Sequence, residues 1–101
     1  MWQGYYEQFG AQHPVTFHNF KANPSPGGGI TGDGTDEVGT FKFEGSFNGD
    51  ATQVRFVKKY FGQATHSIYY QGSVQPNPPL IRGYWGFSQG GQDGKFEICY
   101  K

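Results

Sequence analysis

The sequence predicts an all-β protein: a single closed, antiparallel, up-and-down β-barrel of about eight strands occupying residues 1–101. Three observations carry that expectation. Glycine and aromatic residues recur at every second position, as in Gly39, Phe41, Phe43, Gly45 and Phe47, or Ile81, Gly83, Trp85 and Phe87, with polar residues between them. A period of two marks one face of a strand. The composition agrees, since aromatics make up 19% and charged residues 16%, and Leu80 is the only leucine. Finally, turn residues cut the chain into short runs at fairly regular intervals, and its length allows one core.

The predicted runs are residues 2–9, 14–21, 29–34, 37–47, 52–61, 65–72, 80–87 and 95–101. Asn48-Gly49-Asp50 and Asp93-Gly94 supply residues that tolerate positive φ, while residues 76–79 and 25–28 make wider connections. A flat meander of so many strands leaves two open edges. Closing it removes both and leaves an interior just wide enough for side chains or one small ligand. By parity the inward set is Trp2, Gly4, Tyr6, Phe17, Ile30, Gly32, Phe41, Phe43, Gly45, Val54, Phe56, Tyr60, Ile68, Tyr70, Gly72, Ile81, Gly83, Trp85, Phe96 and Ile98, together with one charged residue, Lys58. Glycines belong on that face because a tightly coiling strand needs positions without a Cβ, which a neighbouring ring then covers.

Trp2-Gly4-Tyr6, Gly34-Asp36-Gly39-Phe41, Phe56-Lys58-Tyr60, His66-Ile68-Tyr70-Gly72, Ile81-Gly83-Trp85 and Gly94-Phe96 form a running pattern over nearly the whole chain. It resembles a widespread group of small glycine- and aromatic-patterned β-barrel domains of uncharacterised function, and more distantly the avidin and lipocalin type of barrel. The resemblance implies a barrel and transfers no catalytic residue.

Several function classes are not expected. Net charge is zero, and no basic run exceeds Lys58-Lys59, so the stripe a nucleic-acid binder needs is missing. No apolar run approaches the roughly 18 residues of a spanning helix, and no secretory signal is visible, so the chain reads as soluble with no membrane partner. One cysteine, Cys99, rules out an intrachain disulfide and leans towards a cytoplasmic setting. Gly27, Gly29 and Gly32 fit Gly-x-Gly-x-x-Gly, but without the strand before and helix after that a dinucleotide site requires. Asp33, Asp36 and Glu37 lack the spacing of a calcium loop, and the histidines lack that of a zinc site, so neither cofactor nor metal is expected. Cys99 points outward with no base beside it, and the glutamates mostly alternate outward with lysines. No catalytic residue emerges, and the expected function is a non-catalytic binding module.

Lys58 is the informative exception. An inward ammonium needs a carboxylate, an open rim or a ligand anion, and Asp36 is the carboxylate in a matching motif. Tyr6, Tyr60, Tyr70 and Trp85, with His66 at the rim, complete an aromatic cup suited to a small flat or anionic molecule. On this reading Lys58→Met removes binding and leaves the fold intact or more stable. The same residues also read structurally, as a Lys58–Asp36 pair and tyrosines bonded to one another. His13 and His18 read as surface residues. The alternative function is a homodimer or protein contact through the outward residues Val57, Tyr69 and Tyr84.

Overall fold

The computed structural model describes residues 2–23, 25, 27–49, 52–62, 67–76 and 79–100. Eight strands follow one another around a closed barrel: β1 (Trp2–Gln8), β2 (Ala11–Ala22), β3 (Gly29–Asp36), β4 (Thr40–Phe47), β5 (Gln53–Tyr60), β6 (Ile68–Pro76), β7 (Pro79–Gly86) and β8 (Gly94–Tyr100). Each pairs antiparallel with its chain neighbours, and β8 closes onto β1 through Gly4↔Ile98 and Tyr6↔Phe96. The closed meander predicted from the two-residue period is the one observed.

Register explains why glycine and aromatic residues alternate. Gly34 lies opposite Phe41, Gly32 opposite Phe43, Gly45 opposite Phe56, Gly83 opposite Phe96 and Gly94 opposite Trp85. At three of these positions the ring occupies space that a side chain on the facing strand would need: a Cβ at Gly32 would meet the Phe43 ring, one at Gly34 the Phe41 ring and one at Gly94 the Trp85 ring, while at Gly45 and Gly83 it would meet backbone of the neighbouring strand. Strands therefore approach closely at the glycines and are covered by rings there. The rings then pack on one another. Phe17 meets Phe41 and Phe43 edge-on, Phe56 stacks on Tyr70 at 4.7 Å, and Phe96 meets both edge-on. Such contacts add about 0.5–1.5 kcal/mol each beyond area burial. Only about 10 Å³ of free space remains at the centre, near the minimum for a single water, so the middle of the barrel is packed.

Two departures from strict parity matter. Pairing shifts between Phe17↔Gly34 and Asn19↔Asp33, a bulge at His18 that reverses the inward parity of the rest of β2. Phe20 thereby turns towards the core, faces Gly32 and stacks on Trp2 at 4.4 Å. Parity alone leaves Phe20 out, because a period of two carries no signal for one inserted residue. Val15 and Phe47 also join the buried core.

The second departure is the β1–β2 turn. Phe9 belongs to the loop, not to β1, and β2 starts three residues earlier than predicted. Gln8 pairs with Ala11, so the turn is Phe9-Gly10, with φ of 53° and 77°. Positive φ at both central residues is the mirror-image turn that suits hairpin twist and favours Asn-Gly. Phenylalanine in the left-handed region is strained. Phe9→Asn is expected to stabilise the protein by about 1 kcal/mol, seen as a higher midpoint in denaturant titration. β3 also runs on to Asp36 and β4 begins only at Thr40, which places the tight 37–39 turn between Asp36 and the start of β4.

Candidate functional site at the barrel mouth

Asp36 organises one end of the barrel. As the last residue of β3 it exchanges backbone contact across the turn, its N–H donating to the Gly39 carbonyl at 3.0 Å. Its Oδ1 accepts the N–H groups of Val38 at 2.9 Å and Gly39 at 3.3 Å. Its Oδ2 accepts the Lys58 ammonium at 2.8 Å and the Tyr60 hydroxyl at 2.6 Å. The Gly-x-Asp-x-x-Gly and Phe-x-Lys-x-Tyr motifs are thus two halves of one device: the first presents a carboxylate and ties it to a turn, and the second supplies two donors from adjacent inward positions of β5.

Burial of this ion pair is nearly complete, with Lys58 4% exposed and the Asp36 side chain 0%. The Lys58 head does not reach water past Phe56 and Tyr60. It lies among the rings of Phe41 at 4.8 Å, Tyr6 and Tyr60 at 5.1 Å and Tyr70 at 5.3 Å. Ring faces carry negative charge density, so the cage stabilises the ammonium where water is excluded. The protein fills its own aromatic cage with its own lysine.

Beside that pair the barrel opens into a pocket of about 240 Å³, lined by Tyr6, Gln8, Val38, Lys58, Tyr60, Ile68, Tyr70, Trp85 and Phe87. Five of the seven candidate residues (Tyr6, Lys58, Tyr60, Tyr70 and Trp85) line it, and Asp36 sits behind Lys58. His66 lies outside the described residues. Gln8, Val38 and Phe87 join from strand ends and turns, where two-residue periodicity has no reach. The Trp85 indole N–H donates to the Glu7 carbonyl at 2.9 Å, so only its ring faces the opening. Among the described residues the Tyr6 and Tyr70 hydroxyls have no protein partner, yet no buried side-chain N or O is left unsatisfied. Both hydroxyls therefore remain accessible at the mouth.

The tyrosines are held protonated. Burial, and after it the nearby Asp36 carboxylate, push the Tyr70 phenol far above its usual 10.0. Burial also raises Tyr60 strongly, the Lys58 charge pulling the other way while the hydrogen bond to Asp36 adds to the rise. Because the folded state holds these protons more tightly than the unfolded chain, their contribution to stability is complete below pH 10 and is lost as pH climbs towards the folded values. Alkaline titration of the folded fraction is expected to show a plateau through neutrality and a decline above about pH 10, shallower in Tyr70→Phe.

His13 is a correction. It is half-buried rather than on the surface, stacked on Tyr6 at 5.0 Å and bonded to Glu37 at 3.1 Å. On the outer wall, Val57 lies directly opposite Tyr69, and Tyr84 is one row away opposite Gln71. Tyr84 is exposed while Val57 and Tyr69 are only half so. Among the described residues no group of histidine, cysteine and acidic side chains is placed to hold a metal ion.

Fold and site together define a closed eight-stranded barrel, packed at its centre, with one apolar, tyrosine-lined opening at the end where β1–β2, β3–β4, β5–β6 and β7–β8 are joined. Comparison with known protein families, with curated proteins and with solved structures returned no match.

Proposed function

We propose that the protein is a non-catalytic binding module whose mouth pocket takes a small, flat, uncharged molecule carrying a hydrogen-bond acceptor. The observation that carries this reading is the pair of free hydroxyls, Tyr6 and Tyr70, in a mostly apolar opening whose other polar lining groups are Gln8 and the Asp36-bonded Lys58 and Tyr60. Few convergent polar groups on an apolar lining are the usual composition of a ligand site. Both phenols are raised above their usual range, so each offers a proton to an acceptor. Lys58 is already neutralised at 2.8 Å by Asp36, which favours the flat, uncharged half of the sequence expectation over the anionic half. The volume equals roughly eight waters, enough for a one- or two-ring compound.

Screening planar heteroaromatic fragments by NMR tests the proposal. Binders are expected to shift the Trp85 indole signal, and Tyr70→Phe is expected to weaken them about tenfold, the loss of one good hydrogen bond. Fragments that leave Trp85 undisturbed, or that bind Tyr6→Phe and Tyr70→Phe variants as well as the parent, would refute it. The alternative, docking through Val57, Tyr69 and Tyr84, has adjacency in its favour but only one well-exposed side chain. A dimer in sedimentation that Tyr84→Ser dissociates would favour it.

A further inference from the structure

Among the described residues five large hydrophobic side chains are exposed, and four of them stand at the same end of the barrel. Phe9 is 97% exposed, Val38 50%, Phe61 54% and Phe87 51%. Each comes from a different connection, those after β1, β3, β5 and β7, so every loop at the mouth contributes one apolar tip and none is a neighbour of another in sequence. Phe9 is the extreme case. It is nearly free of protein contact and occupies a left-handed turn position at φ 53° where asparagine or glycine serves better. A residue unfavourable both for its backbone and for its exposure points to a role outside the folding of this chain.

We propose that the mouth end is an interfacial docking face that inserts Phe9, Phe61, Phe87 and Val38 into the surface of a zwitterionic lipid bilayer. Charge at this end supports an uncharged partner. The described residues of these four loops contain no lysine or arginine; Asp36 is neutralised by Lys58, whereas Glu37, bonded to His13, and Asp93, which accepts the Phe87 N–H at 3.0 Å, have no lysine or arginine partner. Two carboxylates without a lysine or arginine beside them disfavour an anionic surface, so a zwitterionic one fits this end better, with Glu37 and Asp93 staying in its polar headgroup layer. Shape supports a fluid partner. The tips project separately around an opening, so a protein would need separate pockets arranged about a ring, whereas a lipid interface accepts apolar side chains wherever they protrude. No helix among the described residues is long and apolar enough to cross a membrane, and interfacial docking requires none.

Co-sedimentation with phosphatidylcholine vesicles tests the proposal, using Phe9→Asn and Phe61→Ser because neither residue lines the mouth pocket. The parent protein is expected to partition onto the vesicles with little dependence on salt. Phe9→Asn is expected to lower partitioning about tenfold, and the double variant to lower it further. Phe9→Asn relieves turn strain, so its loss of binding cannot be laid to unfolding, and fragment binding at Trp85 should survive in both variants. No vesicle binding, binding unchanged by Phe9→Asn, binding that requires phosphatidylserine and vanishes in salt, or a Phe9-dependent dimer formed without lipid would each overturn it.

Discussion

Lys58→Met is expected to destabilise the protein by about 3–5 kcal/mol, the cost of leaving a buried carboxylate without its counter-charge. That is a large share of the total stability of a domain this size, typically 5–15 kcal/mol. Once the ammonium is gone, the wholly buried Asp36 side chain keeps the Tyr60 hydroxyl and the N–H groups of Val38 and Gly39, but its charge is uncompensated. Read from sequence with Lys58 as a ligand contact, the same substitution leaves the fold intact or more stable. Pairing at 2.8 Å reverses the sign. Asp36→Asn with Lys58→Met is expected to recover most of the loss, because asparagine can still accept the two turn N–H groups and no charge remains. A double-mutant cycle by denaturant titration measures the coupling. A single Lys58→Met variant as stable as the parent would show that the ion pair does not hold the mouth together.

Gly83→Ala is expected to cost about 3 kcal/mol, at the upper end for inserting a methyl into packed structure. A Cβ there would overlap the Gln71 carbonyl oxygen and come within 2.6 Å of the Gly72 Cα, and backbone atoms of a paired strand cannot rotate away as a side-chain tip can. Gly72 and Gly83 face each other, and Gly83 also lies opposite Phe96, so widening this point disturbs three strands. Gly49→Ala, where a Cβ meets nothing within 4 Å, serves as the control and should change stability little. A Gly83→Ala variant with the midpoint of the control would show that the glycine positions are not where strands come closest.

Much of this architecture is readable from residues alone because a closed barrel imposes one rule on every strand. Phe41, Phe43, Val54, Phe56, Ile81, Trp85, Phe96 and Ile98 are all inward by parity and all buried. The rule fails where the backbone breaks its own period. His18 bulges and brings Phe20 inward, and Phe9 leaves β1 to become a turn. Candidate site residues were similarly within reach when they lay on strands. Lys58, Tyr60, Tyr70, Tyr6 and Trp85 share the inward face, and Asp36 is suggested as the lysine's partner by its motif. Gln8, Val38 and Phe87 sit beyond the periodic segments, and nothing in their spacing marks them as pocket walls.

What the sequence determined by itself is the barrel and the membership of its inward face, since alternation is local and each strand carries it independently of its neighbours. Only the tertiary structure decided what Lys58 does. Whether an inward ammonium meets a carboxylate, a ligand or water depends on register across β3, β4 and β5 and on the turn that presents Asp36, and those are long-range quantities. The same holds for the mouth. Four apolar residues far apart in the chain become one rim because antiparallel closure gathers every second connection at the same end.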